Sequence, residues 1–359
     1  MKIESLELSD YRNYESLELP LFPGVNILCG DNAQGKTNIL EAIYLAATSK
    51  SHRGAKDSDM IRFGKEEAHV RVVHEKEGLS SRIDMHLRRH KTKGIAIDGE
   101  KLKKAGELMG RIKVVLFSPE DLSIIKLSPA ERRRFMDIEL CQIDSFYLYN
   151  LANYNRLVMQ RNKLLKQAAF GQDLTSTLDI WDEQLFSFGS KLIERRMSFI
   201  GQISEITGQI HRDLTGGKEN IRLSYAPSVT MEQYREAMKS ARDRDFRMHQ
   251  TTVGPHRDDL VYMANDIDLR KYGSQGQQRT AALALKLSEI ELIKRITKDT
   301  PVLLLDDVLS ELDETRQTQL LNTMGQIQTI VTCTGVDEFV KRRMKIDKIY
   351  RVENGRVIV

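Results

Sequence analysis

The residues with the clearest chemistry in this sequence form one short loop. They match the phosphate-binding pattern G-x-x-x-x-G-K-[ST] as Gly30-Asp31-Asn32-Ala33-Gln34-Gly35-Lys36-Thr37. The two glycines allow the backbone to turn so that successive N–H groups face phosphate oxygens. Lys36 is expected to reach the β- and γ-phosphates, and the Thr37 hydroxyl is expected to bind Mg²⁺. The pattern specifies neither the base nor the reaction.

The segments on both sides of this loop predict the secondary structure that the motif requires. Residues 24–29 read as a short apolar strand, and residues 38–48 carry apolar side chains at helical spacing. A helix that follows the loop directs its partly positive N-terminus at a bound anion. The strand–loop–helix order therefore favours a nucleotide site over a chance match on a glycine-containing turn.

A second part of the candidate site follows another apolar segment. Residues 301–305 are apolar and lead into Asp306 and Asp307. If they form a buried parallel strand, Asp306 lies beside the phosphate loop and holds Mg²⁺ through water. Asp307 is then placed to orient an attacking water. With Lys36, these acids are the candidate catalytic residues, and an ordinary turn at a strand end is the alternative interpretation.

A third candidate segment, residues 272–279, precedes a strongly apolar helix. Ser274 and the N–H groups around Gly276 and Gln277 open that helix and form a second anion site. Because this helix N-terminus is separate from the phosphate loop, we expect it to face the nucleotide of another subunit. The alternative is a flexible Gly/Gln loop that only caps the helix.

Patterning elsewhere predicts strands on both sides of a long helical segment. Residues 2–29 read as a hairpin, and residues 68–118 alternate apolar and polar positions as antiparallel strands do. Strand-like patterning returns in residues 220–270, with a polar helix near 231–247. Within this part, residues 251–260 place charged groups beside a Gly-Pro turn, and a salt-bridged loop is the simplest interpretation.

The helical segment begins at a capping box formed by Ser128 and Glu131. Apolar side chains between residues 178 and 210 follow the 3,4 spacing of a short heptad seam, which we expect to pack on helices around residues 146–154. Gly171 is expected to mark the reversal of the chain. A lever-like arm and an ordinary helical subdomain are both consistent with this pattern.

Composition limits the class of protein. The chain has 359 residues, of which 40% are hydrophobic and 30% charged, which is typical of a soluble protein of two or three domains. No apolar segment is long enough to span a bilayer, and residues 1–4 do not start a signal peptide, so we expect a cytoplasmic location. The three cysteines are too scattered to indicate disulfides or a cysteine-based zinc site.

Charge gives a weaker indication of the partner. The net charge of +4 is too small to establish nucleic-acid binding. Basic residues nevertheless cluster within residues 88–93, 101–104, 132–134 and 341–345. Each cluster alone is consistent with a solvated surface, whereas several together favour a phosphate-rich partner.

Taken in order, the motifs resemble the ATPase heads of the ABC type. Residues 274–278 resemble the signature motif, and residues 310–313 resemble the D-loop. A closer resemblance, over essentially the whole chain, is to the bacterial RecF family of recombination proteins. The segments that carry it are Tyr11-Arg12-Asn13-Tyr14, Gly30 to Asn38, Phe117 to Leu122, Gly254 to Asp259, and Leu305-Asp306-Asp307.

This resemblance implies an α/β fold with an ABC-ATPase-like head, in which a mixed β-sheet accompanies a P-loop α/β core. The head would comprise residues 1–120 and 220–359, and residues 121–219 would form an inserted, mainly helical arm. It also implies ATP and Mg²⁺ as cofactors. The residues that would contact nucleotide or metal are the whole loop from Gly30 to Asn38, Arg12, Asn13, Ser274, Gly276, Gln277 and Asp306.

For function, the resemblance implies a homodimer that forms around two ATP molecules and then binds duplex or gapped DNA independently of sequence. With RecO and RecR, it would help RecA to load at single-strand gaps and stalled forks, in association with the nucleoid and without a membrane. Slow, DNA-stimulated hydrolysis would reset it, so that the ATPase acts as a switch.

Departures from the general ABC pattern agree with slow turnover. The second acid is Asp307 instead of Glu, and Thr332 and Thr334 lie where transporters have a histidine. Three alternatives remain: the ATP-binding subunit of a transporter, a small-molecule P-loop kinase, and a DNA-binding scaffold that holds ATP without turnover. The long insertion argues against the first, and the kinase leaves residues 274–279 without a role.

Overall fold

The computed structural model describes residues 1–126, 128–168, 175–335 and 345–358. Gly171 and the basic residues at 341–343 lie outside these ranges, and the expectations for them stay predictions. The chain divides into two compact units. The first comprises Met1–Leu122 and Ala282–Val359, and the second comprises Ser123–Ala281. The predicted arm boundary at residue 219 also stays a prediction, while the unit that contains the helical segment continues to Ala281.

The described strands, in chain order, are β1 (Lys2–Tyr11), β2 (Tyr14–Pro20), β3 (Val25–Cys29), β4 (Glu67–Lys76), β5 (Leu79–Arg88), β6 (Lys91–Ile97), β7 (Glu100–Lys101), β8 (Val114–Phe117), β9 (Ile221–Ala226), β10 (Asp259–Ala264), β11 (Ile267–Asp268), β12 (Val302–Asp306), β13 (Thr329–Cys333), β14 (Lys348–Glu353) and β15 (Arg356–Ile358).

The described α-helices are α1 (Lys36–Thr48), α2 (Pro129–Ile143), α3 (Ser145–Ala168), α4 (Thr175–Thr215), α5 (Tyr234–Ser240), α6 (Arg242–Met248), α7 (Leu269–Tyr272), α8 (Gln275–Thr297) and α9 (Glu314–Met324). None of the helices in the described ranges has the length and apolar character that crossing a bilayer requires.

An antiparallel sheet in the first unit has the order β2-β1-β4-β5-β6-β7. Its strands alternate between a buried and a more exposed face. On β5, for example, Ile83, Met85 and Leu87 are buried, whereas Asp84 and His86 lie on the other face. The predicted N-terminal hairpin is therefore confirmed, and so are the predicted antiparallel strands from residue 68 to residue 101. The last part of that predicted segment, β8, instead pairs parallel with β12.

A second sheet in the same unit has the order β15-β14-β3-β13-β12-β8. The strands from β14 to β8 are parallel to their neighbours, and β15 pairs antiparallel with β14. β12 is buried along its whole length, as expected for a central parallel strand. Because parallel strands end at one edge, the loop after β3 and the acids after β12 meet there, with β13 between them. The predicted buried strand is confirmed.

The second unit contains helices and a small sheet of order β11-β10-β9. Ser128 caps α2, because its hydroxyl accepts a hydrogen bond from the N–H of Glu131, whose carboxylate in turn accepts from the N–H of Ser128. The predicted capping box is thus confirmed. Two short helices, α5 and α6, occupy the region where one helix near 231–247 was predicted.

The predicted packing of α4 on α3 is confirmed, with Phe146 at its edge, where Nζ of Lys191 on α4 lies 5.7 Å from the centre of the ring. Phe146 is 47% exposed, whereas the next residue, Tyr147, is fully buried. The buried stripe of α3 also contains Tyr154 and Arg161. The prediction considered apolar side chains alone, whereas hydrogen-bonding side chains occupy part of this stripe.

Candidate functional site

The phosphate loop connects the end of β3 to the start of α1. Three of its residues have positive φ angles: Gly30 at 155°, Ala33 at 64° and Gly35 at 116°. These angles turn successive backbone N–H groups toward one concavity, as in anion-binding nests. Since α1 starts at Lys36, the free N–H groups of its first turn also lie at the loop.

Lys36 holds the loop from inside. Its Nζ donates hydrogen bonds to the carbonyl oxygens of Gly30, at 2.6 Å, and Asp31, at 2.9 Å. The side chain is only 4% exposed. A buried ammonium group surrounded by backbone dipoles is suited to anionic oxygens that enter the loop.

Asp306, at the end of β12, joins the loop to the neighbouring strands. Its Oδ1 accepts hydrogen bonds from the hydroxyls of Thr37, at 2.9 Å, and Thr332, at 2.8 Å. The side chain is largely buried. A hydroxyl and a carboxylate at this separation form the hard oxygen set that Mg²⁺ prefers, so the residues present fit that ion.

Asp307 has a different environment from Asp306. Its backbone is left-handed, with φ of 52°, and its N–H donates a 2.9 Å hydrogen bond to the hydroxyl of Thr332. Burial raises the pKa of its carboxyl group; the charge of Asp306 adds to this effect, and the charge of Lys36 opposes it. A half-buried carboxylate with a raised pKa is suited to orienting a water molecule and accepting a proton from it.

Arg12 and Asn13 follow β1 and contact the helix and the loop. Arg12 makes a bidentate pair with Glu41 of α1, at 2.7 and 2.8 Å, and also donates to the carbonyl of Asp59. Asn13 donates to the carbonyl of Gln34, at 2.9 Å, and accepts from the amide of Asn38, at 2.8 Å. Asn13 therefore positions the loop directly, whereas Arg12 holds α1, and their predicted proximity to nucleotide stays a prediction.

The turn between β14 and β15 holds the outer side of the loop. The N–H of Gly355 donates to the carbonyl of Gln34, at 3.1 Å, and the N–H of Asn354 donates to its side-chain oxygen, at 2.6 Å. A Cβ on Gly355 would lie 2.5 Å from the carbonyl oxygen of Asn13. The close approach of this turn therefore requires glycine.

The candidate signature segment belongs to the second unit. The N–H of Gln277 donates to the hydroxyl of Ser274, at 3.2 Å, and the N–H of Ser274 donates to the side-chain oxygen of Gln277, at 2.9 Å. The carbonyl of Gly276 accepts from the hydroxyl of Thr280. Ser274 thus caps α8, as the alternative interpretation expected, and both Ser274 and Gly276 remain exposed to solvent.

Comparison with known proteins identifies the family. The model of the RecF/RecN/SMC N terminal domain matches residues 2–357. The DNA replication and repair protein RecF of Lachnospira eligens is 58% identical over 360 residues, covering 100% of this chain and 99% of that protein. The chain belongs to the RecF family.

Solved structures extend this result to the fold. A structure of the recombination mediator protein RecF-ATP in the RecFOR pathway has a TM-score of 0.93 at 33% identity, and covers 99% of this chain and 97% of that one. The corresponding RecF-ATPrS structure has a TM-score of 0.90 at 34% identity, with the same coverage. The predicted α/β, ABC-ATPase-like and SMC-like head with mixed sheets and a long helical arm is confirmed for this RecF-family chain.

Three residues beside the loop were missed by the sequence reasoning. Glu41 accepts a hydrogen bond from the hydroxyl of Ser51, at 2.5 Å, in addition to the two from Arg12. Burial opposes the ionisation of Glu41, but these hydrogen bonds outweigh it and lower its pKa. His52 is half-buried next to this cluster, and burial lowers its pKa. The sequence signal that could have indicated this cluster is an acid, Glu41, among the apolar residues of α1.

Proposed function

We propose that this RecF-family chain is an ATP-dependent, DNA-binding protein of recombinational repair. In this proposal it acts in the RecFOR pathway with RecO and RecR, and promotes RecA loading at gaps and stalled forks, in the cytoplasm and in association with the nucleoid. The names of its relatives and their ATP-bound structures support this assignment. The transporter and kinase alternatives have no such support.

The observation that carries the proposal is the hydrogen bond between Thr37 and Asp306. It brings the two halves of a triphosphate site together, with Lys36 buried inside the loop. In our proposal the loop N–H groups and Lys36 bind the phosphates, while Thr37 and Asp306 hold Mg²⁺. The bound ion would neutralise charge on the β- and γ-phosphate oxygens. Asp307 then positions the water that attacks the terminal phosphate.

We further propose that two copies enclose two ATP molecules. Ser274 and Gly276 lie exposed at the N-terminus of α8, and this end carries partial positive charge. A γ-phosphate held by one copy would be contacted there by the other. In this proposal the ATPase is slow, because the shorter Asp307 places water less well than a glutamate would, and DNA stimulates it. Hydrolysis therefore times the release of the dimer from DNA.

Light scattering with and without ATP and DNA tests this proposal. The full-length chain should be monomeric alone and dimeric with ATP. Lys36→Arg should abolish hydrolysis and weaken the ATP-dependent dimer, because the larger planar guanidinium does not fit the pocket of the ammonium group. Ser274→Arg should leave ATP binding to the monomer intact and prevent the dimer.

Ser274→Ala is the matched control for the arginine variant. It removes the same cap of α8, at a cost of about 1 kcal/mol, without placing a bulky side chain at the surface. The alanine variant should therefore still dimerise with ATP, although more weakly than the wild type, because it lacks the hydroxyl that would contact the γ-phosphate. Normal dimerisation of Ser274→Arg would disprove the cross-subunit role, and ATP binding without any turnover would favour the scaffold alternative.

A further inference from the structure

Two histidines and a glutamate share the exposed face of the antiparallel sheet in the first unit. His69 on β4 lies directly opposite His86 on β5 in the strand register. Glu67 lies two positions before His69 and therefore on the same face. Their placement is fixed by strand pairing instead of by a loop, and strands hold side chains more accurately.

The three side chains converge. His86 Nε2 lies 2.6 Å from Glu67 Oε2, and the rings of His69 and His86 stack with centroids 4.2 Å apart. One nitrogen from each histidine and one carboxylate oxygen all lie within 4.8 Å of one another. Nitrogen and oxygen ligands of one tetrahedral ion lie about 3.3 Å apart, since each is about 2.0–2.1 Å from the metal. Rotation of exposed side chains covers that difference.

The neighbouring strand leaves His86 open to solvent. Gly94 of β6 pairs with His86, so no side chain covers the imidazole from that strand. A Cβ added at Gly94 would lie 3.8 Å from the Cβ of His86, which is an ordinary van der Waals distance. The φ angle of Gly94 is not in the left-handed region. The backbone therefore does not require glycine at this position. The two histidines and Gly94 line a depression of about 570 Å³ on this face.

Arginine side chains near the cluster have partners of their own. Arg71, which follows His69 on the same face, is neutralised by Asp84, at 2.6 Å, and Glu7, at 3.1 Å. The guanidinium of Arg88 donates a hydrogen bond to the carbonyl of Thr92, at 2.6 Å. The sheet face therefore presents two imidazoles and the charge of Glu67, with Lys101 lining the same depression. Binding of an ion would displace the proton that His86 Nε2 shares with Glu67.

The geometry points to a site for Zn²⁺ or a similar divalent transition metal, bound by Glu67, His69 and His86. Imidazole ligands select such ions over Mg²⁺ and Ca²⁺, which prefer all-oxygen sets. Three protein ligands leave a fourth position for water, which the open depression can supply. The bound ion joins β4 to β5, and this role is separate from the proposed ATP and Mg²⁺ site after β3.

The test uses the full-length protein without a polyhistidine tag, stripped of metal and then titrated with ZnCl₂ by calorimetry. The buffer contains Mg²⁺ and no nucleotide. We expect one Zn²⁺ per chain and a rise in melting temperature with Zn²⁺, because the ion binds only the folded strands. His69→Ala and His86→Ala should each weaken binding at least about tenfold and abolish the rise in melting temperature.

His90→Ala is the matched control, because His90 lies at the β5–β6 turn, is exposed and is not part of the cluster. It should bind Zn²⁺ as the wild type does. The metal-free variants should melt as the wild type does, since they change exposed side chains. The proposal would be overturned if the wild type showed no saturable Zn²⁺ binding. It would also be overturned if His69→Ala and His86→Ala bound Zn²⁺ as tightly as the wild type does. The absorption spectrum of the protein with Co²⁺ in place of Zn²⁺ should lack a thiolate-to-metal charge-transfer band. This result would exclude binding by cysteine and support the proposed ligands.

Discussion

The hydroxyl of Thr37 donates a 2.9 Å hydrogen bond to Asp306, although 269 positions separate the two residues. The parallel order of β3, β13 and β12 produces this contact, because it brings the loop and the acid to one edge of the sheet. Thr332 on β13 completes the arrangement by donating to the same carboxylate oxygen and accepting from the N–H of Asp307.

Thr332→Val should disturb both acids at once. The valine has the same shape but removes the donor to Asp306 and the acceptor for the Asp307 N–H. Loss of a buried partner of this kind costs about 1–3 kcal/mol. Hydrogen exchange should therefore accelerate in β12 and β13, and ATP hydrolysis should slow. Thr332→Ser keeps the hydroxyl and should behave as the wild type; equal behaviour of valine and serine variants would contradict this role.

Asp307→Asn should separate ATP binding from hydrolysis. The amide cannot accept a proton from water, so we expect hydrolysis to fall by about 10²-fold or more while the ATP-dependent dimer persists. Glu77→Gln, at an exposed hairpin turn, is the control that should leave turnover unchanged. An Asp307→Asn protein that hydrolyses ATP at the wild-type rate would remove Asp307 from the mechanism.

The pH dependence of hydrolysis gives a second measure of Asp307. Because burial raises its pKa, the carboxylate is lost at a higher pH than for an ordinary aspartate. The rate should therefore fall on the acid side at a pH above the usual aspartate range. Single-turnover rates measured against pH, with folding monitored in parallel, would show this limb, and its absence in the range where the protein is folded would contradict it.

DNA binding should require ATP and depend strongly on salt. Contacts between phosphates and Lys or Arg release counterions, so affinity should fall by at least about tenfold between about 50 mM and about 200 mM salt. It should differ little between unrelated sequences, because no base-reading element was identified in the sequence. Fluorescence anisotropy with labelled duplexes measures both effects. Affinity that stays constant over this salt range would contradict the electrostatic interpretation.

Arg161→Met should destabilise the second unit strongly. Arg161 is fully buried and donates to Asp182 and Asp245, each at 2.7 Å. Removing it leaves the buried carboxylate of Asp245 without its cation, at a cost of about 3–5 kcal/mol. Urea unfolding followed by the fluorescence of Trp181, the one tryptophan of the chain, reports on this unit. Arg156→Met, on the exposed side of the same helix, should change stability little.

His256 should make the second unit less stable in acid. Its Nδ1 accepts from the hydroxyl of Tyr154, at 2.7 Å, and its Nε2 donates to the carbonyl of Thr251, at 2.9 Å, which defines a neutral ring. Burial lowers its pKa to about 4, from an ordinary value of 6.5. The unfolded chain therefore binds a proton first, and about 3 kcal/mol of stability is lost between pH 6.5 and pH 4.

The matched comparison for this effect is His256→Gln, which can make both hydrogen bonds without titrating. Unfolding followed at Trp181 should show a smaller loss of stability between pH 6.5 and pH 4 than in the wild type. His90→Gln, at an exposed turn, should retain the wild-type dependence. The same pH dependence in all three proteins would show that His256 does not contribute.

Local motifs made part of this site predictable. The loop from Gly30 to Thr37 and the strand before Asp306 each have a pattern that one segment contains, and the parallel sheet placed them together. Thr332 was noticed only for its position in a threonine-rich strand. Its role depends on the register that pairs it with Asp306, and no single segment encodes that register.

Polar residues at buried helix positions were harder to predict from the sequence than the helices themselves. Apolar spacing predicted the helices α3 and α4, but Arg161 and Arg196 occupy buried positions among the apolar residues. Arg196 donates to Tyr147, Asp137 and Asp258, which lie on other segments. A charged residue is predicted to face solvent unless its partners are known, and those partners are distant in sequence.

The position of β3 between β13 and β14 has a consequence for synthesis on the ribosome. Asn26 of β3 contacts the carbonyl of Thr329, 303 positions later in the chain. The nascent phosphate loop therefore emerges long before the strands that flank it. Fragments released early in translation lack those neighbours, so they cannot complete the pocket and would not compete with finished molecules for nucleotide.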